Sequence, residues 1–216
     1  MRKNLFVLDG AAGTGKTDLL QYIRRKYSRG PYATVLFKYT TRRLRTGEVR
    51  RRRLLDLIPI SAAEFSCRKE DQSFVWYPYG DAEYGFLKGE LDAALNRHDN
   101  VLLIVRHRPT IKWLQSEYAD VRVIPVFVYA DASHIRDRLR GNPRELRRRL
   151  ARSREVWRDY VQEPFFYEEV IINNFDKKTY QTLIEKLLEK YNSPAPSTTY
   201  TMAASRPRHL SAVPPN

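Results

Sequence analysis

The stretch LDGAAGTGKTDLL, residues 8–20, decides how this chain is read. A short apolar run, Leu5-Phe6-Val7-Leu8, leads into a glycine-rich turn ending in Gly15-Lys16-Thr17, and a helical pattern follows. The spacing Gly10-x-x-x-x-Gly15-Lys16-Thr17 fits a P-loop without a mismatch. Glycines let the backbone curl until successive N–H groups point at phosphate oxygens. A helix starting near Thr17 adds the positive end of its dipole to the same spot. Gly10, Ala11, Ala12, Gly13, Thr14, Gly15, Lys16 and Thr17 are therefore the expected nucleotide-binding residues. Lys16 is expected to reach the β- and γ-phosphates, and the Thr17 hydroxyl to hold Mg²⁺.

Working outward, strands and helices alternate. Residues 4–9 read as a strand and 17–28 as a helix. Residues 34–39 read as a second strand after the Gly30-Pro31 break. Residues 40–53 are polar and arginine-rich, and 54–60 are a short strand candidate. Ser61-Ala62-Ala63-Glu64 is a capping box that opens a helix. Residues 72–86 read as strand, turn and aromatic cluster, and 86–97 as a helix. The continuous apolar runs 101–105 and 123–129 suit parallel strands buried on both faces. Helices are expected at 110–118, 132–140, 144–162 and 176–191, with a last strand at 169–173. This alternation predicts an α/β fold of the P-loop NTPase type, three layers (α/β/α) around a mainly parallel sheet. The chain from 192 to 216, rich in Ser, Pro, Thr and Ala, is expected to be a disordered tail.

Composition bounds the partners. Thirty-nine Lys and Arg against 25 Asp and Glu give a net charge of +14, which suits phosphate-bearing ligands and keeps nucleic acid as an alternative partner. The single cysteine, Cys67, leaves no intramolecular disulfide. No apolar run approaches about 18 residues, so no membrane span is expected. The chain opens directly on a strand pattern, without a leader, and a cytoplasmic protein is the expectation. The four histidines have no metal-ligand spacing.

Between the second and third main strands the sequence resembles the guanylate kinase family. The matching pieces are TTRRLRTGE (40–48), SAAEF (61–65) and FVWYPYGDAEYGF (74–86), followed by DRLRGN (137–142), RRL (148–150) and IINNF (171–175). The resemblance covers about residues 1–190 and implies one kinase domain over 1–191. An acceptor-binding subdomain would occupy about 39–85 and a lid about 138–150. It also implies ATP as the donor and Mg²⁺ as its companion. Arg42, Arg45 and Tyr84 would bind the acceptor's phosphate. Guanidinium forks three residues apart can converge on one such group. Arg138 and Arg149 would join Lys16 in stabilising the phosphoryl group in transit, with Arg140 a further lid candidate.

The sequence departs from the family at four places. Arg51-Arg52-Arg53-Leu54 stands where the family has Gly-x-Asp-Tyr. Val75 replaces a glutamate, and Phe86 a serine, that contact guanine. Ile104-Val105-Arg106 replaces Asp-x-Asp at the end of the third main strand. A ribose 1,5-bisphosphate phosphokinase in the same fold lacks the Asp-x-Asp too, and Lys38-Tyr39-Thr40-Thr41-Arg42 is similar to its pattern. Asp9, beside the loop, is either a carboxylate near the metal or a turn residue.

The function expected is transfer of the ATP γ-phosphate to a phosphorylated small molecule, a GMP-like nucleoside monophosphate first. The alternatives are a ribose 1,5-bisphosphate-type sugar phosphate kinase and a polynucleotide 5′-kinase or other nucleic-acid-binding P-loop protein. The intact Gly15-Lys16-Thr17 argues against a scaffold that has lost catalysis.

Overall fold

The computed structural model describes residues 2–44, 46–49, 56–138, 143–174 and 176–192. The expected tail beyond Asn192, which instead ends the last helix, therefore lies outside the described residues, as do Arg45, Arg140 and the run 50–55. Nine strands and eight α-helices are described, in the order β1 (Asn4–Asp9), α1 (Lys16–Lys26), β2 (Ala33–Val35), β3 (Lys38–Thr40), α2 (Thr46–Val49), β4 (Leu57–Pro59), α3 (Ala62–Lys69), β5 (Phe74–Tyr79), β6 (Ala82–Leu87), α4 (Lys88–Arg97), β7 (Asn100–Ile104), α5 (Arg108–Glu117), β8 (Arg122–Tyr129), α6 (Ala132–Arg138), α7 (Pro143–Gln162), β9 (Glu169–Ile172) and α8 (Lys177–Asn192).

The main sheet has five strands in the order β2-β7-β1-β8-β9, and every pairing in it is parallel. Its central strand is the one that feeds the glycine-rich turn. All six residues of β1 are buried, because both of its faces are covered. The alternation along the strand sorts the core into two halves. Phe6 and Leu8 pack with Leu19, Leu20 and Ile23 of α1 and with Ile184 and Leu188 of α8. Leu5 and Val7 face the other way, towards Leu91 and Leu95 of α4 and Ile111 and Leu114 of α5. This is the three-layer arrangement that the apolar runs predict. Among the described residues, no helix is long and apolar enough to cross a membrane.

The expected single strand over 34–39 is corrected to two. β2 belongs to the main sheet, where Leu36 N still donates to Leu102 O (3.0 Å). Two residues later Lys38 N donates to Asp56 O (2.9 Å), and β3 opens a second sheet of four strands, β4-β3-β6-β5. The apolar pattern runs through without a break because both halves are buried, so periodicity alone cannot mark the handover. The handover matters for the site: it delivers Lys38 and the TTR segment to the C-terminal edge of the main sheet.

Local signals hold elsewhere. Ser61 Oγ accepts from Glu64 N (3.0 Å) and caps α3, as the capping box requires. Pro109 sits in the first turn of α5. α6 and α7 pack their apolar residues Ile135, Leu146 and Leu150 against Ala11 of the loop. The far end of α7 is fixed to the sheet by Tyr160 stacked on Phe127 of β8, centroids 4.2 Å apart.

Candidate functional site

The glycine-rich turn is shaped by neighbours as much as by its own sequence. Gly10 has φ +129°, and a Cβ there would lie 2.2 Å from Val128 O of β8. Gly15 has φ +91°, and its Cβ would lie 2.2 Å from Nδ2 of Asn173. Both positions therefore exclude side chains by conformation and by space. Asn173, at the end of β9, donates to Thr14 O (2.8 Å) and ties the turn to the last strand. Asp9 accepts from Gly10 N and from the Tyr167 hydroxyl, each at 2.6 Å. Its carboxylate is thus taken up in bracing the turn, which is the turn-residue reading.

Lys16 is 7% exposed. Its Nζ donates to Gly10 O and Ala11 O at 2.7 Å and to Thr14 Oγ1 at 3.1 Å. Burial, reinforced by repulsion from Arg106, holds its pKa well below the ordinary lysine value of 10.5. An arriving phosphate would oppose both by favouring the charged ammonium.

In front of this turn lies a cavity of about 260 Å³. Ala11 to Thr17 form one wall; Lys38, Arg42, Asp56, Tyr77, Tyr84, Arg106 and Arg138 are among the others. The structure thus brings Lys16, Thr17, Arg42, Tyr84 and Arg138 to one cleft. Gly10 stands behind it, in the strand-to-turn junction. Arg149 lines an adjoining cavity of about 390 Å³ together with Arg42, Tyr84 and Arg106. Arg45 lies outside the described residues.

The TTR segment is held by its own threonines. Thr40 Oγ1 donates to Glu83 O (2.9 Å) and accepts from Arg42 N (3.1 Å). Thr41 Oγ1 accepts from Glu83 N (3.0 Å). Both bonds tie the segment to β6, the strand that carries Tyr84. Arg42 Nη1 donates to Glu48 Oε2 (2.8 Å), so the last residue of the motif orients its first arginine. Tyr77 stacks with Tyr84 (5.9 Å) and with His107 (5.7 Å).

Three residues on the floor were not among the sequence candidates. Lys38 and Asp56 are both 4% exposed at their side chains and stand 3.1 Å apart. The pair is off-axis: Lys38 Nζ aims its hydrogen bond at Ile104 O (2.7 Å), and Asp56 Oδ2 is left without an aligned donor among the described residues. Burial lowers the Lys38 pKa, and Asp56 opposes the fall. Arg106 lies over the Tyr79 ring at 3.9 Å, with its Nε and Nη2 shielded and unpartnered among the described residues. A lysine inside an apolar strand, and an arginine just past the C-terminal end of a buried parallel strand, were the available signals. Asp56 had none, since it follows an arginine run. Val75 packs against the apolar core and Phe86 is fully buried within it, so neither lines the cleft.

Removing one member of a buried pair strands the other. Asp56→Ala is expected to destabilise the fold by about 3–5 kcal/mol. The check is chemical denaturation; an unchanged midpoint would mean that Lys38 finds enough in Ile104 O.

A glycine-rich turn between the central strand of a parallel sheet and a helix, with a lysine in the cleft beyond it, defines a P-loop fold of the nucleotide-binding class. No protein-family model matches the chain. It is 24% identical over 176 residues to a curated guanylate kinase of Bradyrhizobium diazoefficiens, covering 79% of this chain and 75% of that protein. The crystal structure of guanylate kinase from Anaplasma phagocytophilum matches its fold with a TM-score of 0.59 at 16% identity, covering 89% of this chain and 87% of that one. Together these findings support a divergent guanylate kinase-like P-loop kinase.

Proposed function

We propose that the protein transfers the γ-phosphate of ATP to a small molecule that already carries a phosphate. The observation that carries this reading is the single cleft in which Lys16, Thr17 and Arg138 face Arg42 and Tyr84. The donor's phosphates lie on the turn, held by its backbone N–H groups, the α1 dipole and Lys16. Arg42, oriented by Glu48, and Tyr84 hold the acceptor's phosphate. One of its oxygens attacks the γ-phosphorus, the bond to the β–γ bridging oxygen breaks, and ADP leaves. The protein's part is alignment and positive charge around the group in transit.

Mg²⁺ fits this site through few protein ligands. Among the described residues, no group of His, Cys, Asp or Glu could hold a metal alone. Thr17 and Asp18 do line the cleft at the start of α1, and Mg²⁺ in such sites keeps phosphate oxygens and waters as its main ligands. Bound there through the Thr17 hydroxyl, it would neutralise charge on the β- and γ-phosphates.

A nucleoside monophosphate of the GMP type is the first acceptor to test. A sugar phosphate is the second reading, favoured by Arg106 standing where a base-reading carboxylate would be. The test is an ATP-consumption assay with Mg²⁺ over GMP, AMP, CMP, UMP, dTMP, ribose 5-phosphate, ribose 1,5-bisphosphate and a 5′-hydroxyl oligonucleotide. Turnover with a phosphorylated small molecule is expected; turnover with the oligonucleotide alone would overturn the reading. On the accepted substrate, Arg42→Ala is expected to raise the acceptor KM at least about tenfold, the worth of a charged hydrogen bond, with ATP affinity unchanged. Selective loss of ATP binding would put Arg42 on the donor side.

A further inference from the structure

We infer that a cavity behind the glycine-rich turn, walled off from the nucleotide cleft, is a binding site for a small planar aromatic acid. The inference goes beyond the phosphotransfer reading and does not depend on it.

The cavity holds about 260 Å³, as much as the cleft in front of the turn. It is bounded by the end of β8, by α6 and by the middle of α7. Only Ala11 and Thr14 line both spaces, so these two residues are the wall between them. The Thr14 hydroxyl is taken up inside that wall. It donates to Ala11 O (3.0 Å) and accepts from Lys16 Nζ (3.1 Å). α6 serves the two spaces with different side chains: Arg138 lines the cleft, Arg136 and Ile135 the cavity. A ligand behind the turn therefore leaves the phosphate-binding side of it open.

The walls are apolar and aromatic. Phe127, Tyr129 and Trp157 line the cavity together with Ile135 and Leu150. The Tyr129 hydroxyl donates to Asp131 Oδ1 (2.7 Å), which leaves its ring as an apolar surface. Trp157 has ring neighbours at 4.7 Å (Tyr129) and 5.3 Å (Tyr160), yet it stays 42% exposed. Tryptophan is highly buried on average, so an indole left this open beside a cavity marks surface that a ligand can cover. A flat ring gains most there, because offset and edge-on ring contacts add to the area it buries.

Three polar side chains interrupt these walls: Arg136 of α6, and Ser153 and Arg154 of α7. Neither arginine forms an ion pair among the described residues, and no carboxylate lines the cavity. Apolar walls with a few polar groups that fix orientation are the usual build of a small-molecule site. Two guanidinium groups without a counter-charge select an anion, and a planar carboxylate matches their forks. Ring and acid together define the ligand class.

The experiment is calorimetric titration of the full chain with 2-naphthoate and with its neutral match 2-naphthamide, each with and without saturating ATP. One saturable site is expected, with 2-naphthoate bound about fivefold tighter than 2-naphthamide, the worth of ion pairs screened by solvent. ATP should leave both affinities unchanged. Two variants locate the site. Ser153→Trp fills the cavity from α7 and should abolish binding of both probes. Arg136→Gln/Arg154→Gln alters only exposed side chains; it should bring 2-naphthoate down to the level of 2-naphthamide and leave 2-naphthamide unchanged. Absence of saturable binding would overturn the site. Displacement by ATP would place the probes in the nucleotide cleft, and undiminished binding to a folded Ser153→Trp protein would place them elsewhere; either result sinks the cavity. Equal affinity for the two probes, or a gap that survives the double variant, would overturn the assignment of an acid. The double variant decides even where Ser153→Trp fails to fold. None of these readouts uses turnover, so a failed transfer assay leaves them standing.

Discussion

Lys16→Ala lowers kcat at least about 10³-fold, the scale expected when a positioned cation is withdrawn from a phosphoryl group in transit. The fold should survive the change. Lys16 is buried among loop carbonyls, and burial and Arg106 disfavour its charged form. Removing it loses three hydrogen bonds but also relieves a desolvated charge, so the thermal midpoint is expected to stay within a few degrees. Near-normal turnover in a folded Lys16→Ala protein would sink the phosphate-loop mechanism. The lowered pKa gives a second handle with a definite sign. A bound phosphate favours the ammonium, so the ATP complex holds more protons than the free protein on the alkaline side. ATP affinity should therefore fall as pH rises towards the ordinary lysine value of 10.5, and proton uptake should accompany binding. Calorimetry in buffers of different ionisation heat measures that uptake. Proton release in its place would mean that another group dominates the linkage.

Arg138→Ala should lower kcat about 10²-fold while both KM values move little, because its charge is needed when negative charge shifts between oxygens and hardly before. Arg138 lines the nucleotide cleft from α6. Arg149 lines only the adjoining cavity, so Arg149→Ala is the informative companion. An effect on kcat in both variants would mean that α7 moves in and delivers Arg149 during turnover. A loss confined to the acceptor KM in the Arg138 variant would place that residue with the acceptor.

Much of this could be read before any coordinates. The strand before the glycine-rich turn and the helix after it were legible in the sequence, and residues 11–17 of that turn line the cleft. The buried runs 101–105 and 123–129 gave the parallel sheet, because a strand covered on both faces has no polar alternation to confuse the eye. What stayed hidden depends on where the chain crosses between sheets. Periodicity cannot register that β2 and β3 belong to different sheets, since Leu36 and Lys38 are both buried. Without that handover, Lys38 reads as a solvated lysine and Asp56 as a partner for the arginines beside it. Together they form an ion pair under the cleft. Arg106 was visible only as a missing carboxylate. Its contact with Tyr79 joins the end of β7 to the end of β5, and no spacing in the sequence encodes it.

The bracing of the glycine-rich turn has a consequence for how the protein is made. Asp9 is held by Tyr167 and Thr14 by Asn173, contacts that span 158 and 159 positions of the chain. The motif therefore emerges from the ribosome well ahead of its outer supports. During synthesis the anion-binding turn is therefore present as sequence long before it is held in shape. Contacts of this range form late, after the loop between them has closed. A nascent chain halted after α7 would carry every glycine of the motif and have neither Tyr167 nor Asn173 to hold it. The shape of the turn is thus complete only once Tyr167 and Asn173 have joined it, and any anion that prefers the shaped turn can stabilise only such molecules.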